Sequence, residues 1–312
     1  MRQVNFRALR SVHPLIACAV LGILYLLLVS IFPANADSMT QYGWSSTEYH
    51  TIYLMIVIPM VATWFAAFYG YNWVRSYAKS IENTAEGDSY RQLANGVGWL
   101  ALSLPVPTIA SLILNSIANA HPGFHASAII ISNYIALILP LFAFAVIGNA
   151  ARMLTATASI RISLAGARSV IFMFVLLGVA FCYLILKHFD LGSPASNNNP
   201  YFMPIWIMLL TIIVPYLYAW FVGLLAAYEF SVLATKTRGV LFSQALKLFA
   251  LGLVTVIGSS IVLEYISSAA PRSGHLELNG RLLATYVFRI AAGIGFLLIA
   301  QGARRLRKIE EV

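Results

Sequence analysis

The chain has 312 residues, 60% hydrophobic and only 10% charged, where soluble domains carry about a quarter charged residues. Its connections between apolar blocks are too short to hold a soluble domain, so any chemistry must lie within helices or at their rims. The net charge of +9 has no folded basic face to sit on, which excludes a nucleic-acid-binding domain and leaves membrane topology and anionic-lipid contact as its meaning.

The apolar residues fall in blocks of about 20, enough to cross a hydrocarbon core of roughly 30 Å at 1.5 Å per residue. The first block is Leu15 to Phe32. Arg2, Arg7 and Arg10 before it and Ala34-Asn35-Ala36 after it mimic a cleavable secretory signal. Its apolar run is longer than a signal usually carries, so we read it as a retained helix. Leu15-Ile16-Ala17-Cys18 mimics a lipoprotein box but precedes the apolar run instead of following it. Cys18 and Cys182 each fall in a span and read as packing residues.

The following blocks are Thr51 to Val74, Leu93 to Ala118, Ala128 to Ala150, Ser169 to Lys187, Tyr201 to Phe230, Lys247 to Ser267 and Leu282 to Ala303. The expected fold is therefore all-α, a polytopic membrane protein of about eight transmembrane helices. Counted in alternate loops, sixteen Lys and Arg lie on one side and three (Lys187, Arg272, Arg281) on the other, with Arg289 inside a span. The basic side is then cytoplasmic and holds both termini. Short loops and the lack of organelle signals suggest a bacterial inner membrane.

The chain also repeats itself. Ile58-Pro59 with Trp64-Phe65 in the second block recurs as Val214-Pro215 with Trp220-Phe221 in the sixth. Arg10-Ser11-Val12 matches Arg168-Ser169-Val170, and Gly22 matches Gly178. Leu100-Ala101-Leu102 matches Phe249-Ala250-Leu251, and Ser111 to Asn115 matches Ser260 to Glu264. Asn133-Tyr134 matches Thr285-Tyr286, and Ala150 with Arg152 matches Ala303 with Arg305. The order is kept throughout, so we expect two four-helix repeats, 1–156 and 157–312, within a single membrane domain. An even number of spans per repeat gives both halves the same orientation, related by an axis along the membrane normal.

Ionisable groups within a bilayer are costly and ask for a reason. Glu264, near the outer end of the seventh span, and Arg289, in the eighth, are expected at similar depth and form a candidate ion pair or coupling pair. The plain alternative is a structural pair, with Arg289 reaching outward to the headgroups. Asn115, the counterpart of Glu264, and Asn133 could line a polar cavity at that level, or a hydrogen-bonded packing seam. Glu229 ends the sixth span and reads as a solvated carboxylate, with Asn72 at the matching end of the second.

Pro59, Pro105, Pro107, Pro140 and Pro215 each remove a backbone donor within a span, and Pro105-Val106-Pro107 should break its helix outright. His50, His121, His125 and His188 fall at outer ends of spans. They read as polar loop residues, although as a set they could ligate a metal. No metal or other cofactor is expected. No G-x-S-x-G, H-E-x-x-H, Walker or C-x-x-C pattern occurs, so a non-enzyme is expected. The reading is a small transporter or channel with a path near the repeat axis. Its alternative is a non-catalytic membrane subunit that scaffolds or regulates a larger complex. Expected partners are the bilayer, anionic lipids at the cytoplasmic face, and a protein partner or second copy.

Overall fold

The computed structural model describes residues 16, 19–24, 46–121, 125–158, 172, 214–237, 239–269 and 275–310. Seven helices are described, and we number them in chain order. They are α1 (Ser46–Ser80), α2 (Gly87–Leu102), α3 (Pro105–Ala120), α4 (His125–Thr157), α5 (Val214–Lys236), α6 (Val240–Ala269) and α7 (His275–Glu310).

Five helical stretches are long and apolar enough to cross a membrane: Gly87–Leu114, Tyr134–Thr157, Leu217–Lys236, Val240–Ser259 and Tyr286–Ile309. Their outward faces carry large apolar side chains, among them Ile138, Tyr218, Leu251, Ile290 and Leu297. In water such a surface would be an aggregation liability, whereas against lipid tails it costs nothing. By length and composition these stretches suggest a helical membrane protein. Thr51–Val74 is helical within α1, though α1 is not one of the five. The first and fifth expected spans lie mostly outside the described residues, as does His188.

Local chemistry sets the helix ends. Ser80 and Thr84 hydroxyls donate to the Tyr77 and Ile81 carbonyls, and Gly87 N–H donates to Thr84 O, closing the turn between α1 and α2. A Cβ on Gly87 would stand 2.6 Å from Ile81 O, so only glycine fits this turn. The third expected span is not one helix: α2 ends at Leu102 and α3 starts at Pro105. Pro105 and Pro107 have no N–H to give. Leu104 N–H turns to Ala101 O at 3.4 Å, while the Ser103 hydroxyl takes Leu100 O at 2.7 Å and the Thr108 hydroxyl takes Leu104 O at 2.9 Å. Pro59 and Pro140, by contrast, lie inside unbroken helices, and Pro215 lies in α5, where the residues before Val214 are outside the description.

The helices pack as a closed circuit. α1 touches α2, α2 touches α4, α4 touches α5, α5 touches α6, α6 touches α7, and α7 returns to α1. α3 stands outside this circuit, against α4. The circuit maps onto itself when α1, α2 and α4 are exchanged for α5, α6 and α7.

Burial follows the same exchange. Trp64, Val74, Tyr77 and Ala78 of α1 and Trp220, Phe230, Leu233 and Ala234 of α5 are all buried, each pair 156 positions apart. Val97, Leu100 and Ala101 of α2 match Leu246, Phe249 and Ala250 of α6. Phe144, Ile147, Ala151 and Leu154 of α4 match Phe296, Ile299, Ala303 and Leu306 of α7 at a constant offset of 152. That offset pairs Arg152 with Arg304, one residue earlier than the Arg305 expected from sequence.

At two glycines α6 and α7 meet backbone to backbone. A Cβ on Gly252 would lie 2.6 Å from Gly295 O, and one on Gly295 would lie 2.8 Å from Gly252 O. Small residues let two helix backbones meet where lipid offers no hydrophobic push between them. Near the other end of the chain, Gly22 packs toward Val61 of α1.

Candidate functional site: a buried carboxylate between α4 and α5

The basic residues gather at one end of the bundle. Contacts there join α7 to α1, α7 to α6, and α6 to α5: Arg307 with Ser76 at 3.0 Å, Arg305 with Gln244 at 2.8 Å, and the Ser243 hydroxyl with Ala234 O at 2.6 Å. The run Arg304-Arg305-Leu306-Arg307 therefore holds helices together, with Leu306 buried between those contacts.

Glu229 lies two turns from the end of α5 and is 2% exposed. The solvated carboxylate expected from sequence is thus a buried one. Long-range packing is the cause. Gly148 of α4 comes up against Val222 and Ala226 of α5, so the two helices close over the face that also carries Phe230 and Leu233. One turn past Gly148, Arg152 leans across the seam, its Nε 4.0 Å from Glu229 Oε1 and its side chain 56% exposed. A buried charge of this kind is retained only with a partner.

The corresponding seam, between α7 and α1, is built from the same backbone plan with different chemistry. A Cβ on Gly70 would lie 3.0 Å from Phe296 O, so the helices are again close. Arg304 occupies the place of Arg152, and Trp73 the place of Glu229, not Asn72 as expected. The Arg304 guanidinium carbon lies 5.8 Å from the Trp73 ring centre, a cation–π contact. Deeper in this seam, the Thr63 hydroxyl reaches both Pro59 O at 2.7 Å and Arg289 O at 2.8 Å, tying α1 to α7.

The expected outer site is only partly visible. Glu264 lies on α6, Asn115 on α3 and Asn133 on α4, and their side chains lie outside the described residues. Arg289 of α7 is half-buried. Measured from the Gly252–Gly295 contact at 1.5 Å per residue, Glu264 stands about 18 Å outward and Arg289 about 9 Å. A pair between them would need the arginine side chain extended toward the outer face. His121 follows the end of α3 and is exposed, and His125 opens α4; His50 lies in α1, and the side chains of His50 and His125 are also outside the described residues. Among the described residues no three His, Cys, Asp or Glu side chains group to hold a metal.

Chemically, the Glu229–Arg152 arrangement can hold or release one proton at a carboxylate oxygen. Ionised, Glu229 attracts the guanidinium; protonated, it does not. The sequence signal that could have found it is a glutamate sharing a helical face with Leu225, Ala226 and Leu233. The chain matches no protein-family model, no curated protein and no solved structure.

Proposed function

We propose that the chain is a small integral-membrane transporter whose two halves move against each other across the α4–α5 and α7–α1 seams. The single observation that carries this reading is Glu229, a carboxylate buried in a long apolar helix at one seam and facing the half-exposed Arg152. Ionisable groups so placed are functional by default. The exchange of helices in the packing circuit, and the paired burial of residues 156, 149 and 152 apart, support two parallel four-helix repeats, and through them a span count of eight. The basic end is then cytoplasmic by the positive-inside rule, with both termini there.

In this mechanism Glu229 and Arg152 form the cytoplasmic clasp of one seam. Proton uptake by Glu229 removes its charge, loosens Arg152 and lets the inner ends of α4 and α5 part. Asn115, Asn133, Glu264 and Arg289 form the polar outer mouth of the same path, with the break between α2 and α3 giving one half a hinge that α6 lacks. The test is current from proteoliposomes on a solid-supported membrane, under proton, cation, anion and amino-acid gradients. We expect a current in the wild type that Glu229→Gln abolishes while the protein stays monodisperse.

A second reading, a non-transporting membrane subunit, is favoured by the dense packing of Trp64, Phe230, Phe249 and Phe296, all fully buried at the inner half of the bundle. Absence of current under every gradient, with Glu229→Gln altering only stability, would select it.

A further inference from the structure

We propose that the cytoplasmic end of the α1–α7 seam is a binding site for the phosphate of an acidic phospholipid, held by Arg304 and Arg307 beside Trp73. The inference rests on the orientation argued above and not on transport.

The two corresponding seams differ in charge. At α4–α5 the arginine finds a carboxylate of its own chain, Glu229. At α1–α7 the equivalent arginine, Arg304, finds the ring of Trp73, and among the described residues it has no carboxylate partner. Residues 71–80 and 300–309 carry Arg75, Lys79, Arg304, Arg305, Arg307 and Lys308 and no Asp or Glu, with Glu310 and Glu311 following. Of these cations Arg305 turns to Gln244 of α6 and Arg75 lies over the Tyr71 ring at 5.9 Å. Arg307 is fixed by Ser76 at 3.0 Å, so it and Arg304 are held toward the same strip of surface. Arg304, exposed and without a carboxylate among the described residues, can take an anion from outside, and guanidinium groups suit a phosphate's oxygen geometry.

A second observation points to lipid as the source of that phosphate. Phe65 and Tyr69 precede Trp73 at four-residue steps on α1, so all three lie on one helical face. Phe65 and Tyr69 are more than a third exposed, and Tyr69 meets Trp73 edge to face at 6.3 Å. This face runs from the bilayer interior to the basic end, apolar first and cationic last. An acyl chain would lie along Phe65 and Tyr69 while its phosphate reaches Arg304 and Arg307. The indole sits at the level where tryptophan favours the membrane interface. Free phosphate would have no use for the apolar part.

The experiment is binding of short-chain phosphatidylglycerol and phosphatidylcholine to the purified full chain, read by native mass spectrometry. We expect the wild type to retain the glycerol lipid over the choline lipid. Affinity should fall about fivefold in each of Arg304→Gln and Arg307→Gln, the loss expected for one basic residue at an anionic surface. Arg304→Lys should recover most of it, which separates loss of charge from loss of fold. Arg91→Gln, whose arginine pairs with Asp88 at 3.0 Å, should bind as the wild type does. Equal retention of both lipids, or unchanged affinity in Arg304→Gln, overturns the proposal. Displacement by millimolar inorganic phosphate also overturns it, by assigning the site to a soluble anion. A chain without transport current leaves this result untouched.

Discussion

Arg152 stands against Glu229 at the end of α4 where Arg304 stands over Trp73 at the end of α7, at 4.0 Å from the carboxylate oxygen and 5.8 Å from the ring centre respectively. The two arginines occupy corresponding places in the helix circuit. Of the two, only Arg152 meets a carboxylate among the described residues, and the first prediction concerns that seam.

Removing Arg152 should leave Glu229 buried beside a lost counter-charge. A fully buried pair broken in this way costs about 3–5 kcal/mol, and half-exposed Arg152 at 4.0 Å should fall below that, at about 1–2 kcal/mol. Neutralising both partners should recover most of the loss. We therefore expect Arg152→Ala to lower the melting temperature in detergent and Arg152→Ala with Glu229→Gln to restore it. Additive losses in the double variant would show that the two groups do not interact.

The α6–α7 contact gives a second test, free of charge. Gly252→Ala places a methyl 2.6 Å from Gly295 O, a backbone atom that cannot step aside. Overpacking of this kind costs about 1–3 kcal/mol. Gly258, on the same helix, has nothing within 4 Å of a would-be Cβ, so Gly258→Ala should be neutral or stabilising by up to about 1 kcal/mol through the unfolded chain. Equal melting temperatures for the two variants would contradict the described seam.

Thr63 tests the tie between α1 and α7. Its one hydroxyl proton is shared between Pro59 O and Arg289 O. Hydrogen bonds between membrane helices average about 0.6 kcal/mol, so Thr63→Val, nearly the same shape, should lose about that much. Thr63→Ser should keep the bond. A thermal or denaturant unfolding series over the three proteins would resolve the order, and a Val variant as stable as the wild type would remove the tie.

Much of the fold was legible because membrane spans announce themselves by length and apolarity, and because the Pro59–Trp64 and Pro215–Trp220 pattern marks two helices that the packing circuit treats alike. The break before Pro105 was legible from missing donors alone. What escaped depends on neighbours distant in sequence. Glu229 looked solvated because it lies near a helix end, and the approach of α4 at Gly148 to Val222 and Ala226 of the same α5 face is not visible in the sequence. Nothing in the sequence showed the basic run after Ala303 tying helices together, because Ser76, Trp73 and Gln244, which receive its arginines, are far from it along the chain. The register between α4 and α7 slipped by one because Arg304 and Arg305 are chemically identical. Burial separates them: Phe144, Ile147 and Leu154 meet Phe296, Ile299 and Leu306 only at an offset of 152.

The break between α2 and α3 also yields a prediction about motion. Its counterpart, α6, runs unbroken from Val240 to Ala269, so the gap follows from the prolines and not from the scaffold. In Pro105→Ala with Pro107→Ala, N–H donors return to the positions facing Ala101 O and Ser103 O. The two helices should then join, and Leu104 N–H should leave Ala101 O for Leu100 O, displacing the Ser103 hydroxyl that holds it now. Hydrogen exchange by mass spectrometry would show this as slower exchange across residues 103–108, with residues 88–100 unchanged. If the break is the hinge of one half, the joined helix should also slow transport in the proteoliposome assay while raising the melting temperature. Slower exchange with undiminished current would make the break a packing feature, and would move the hinge to the seams themselves.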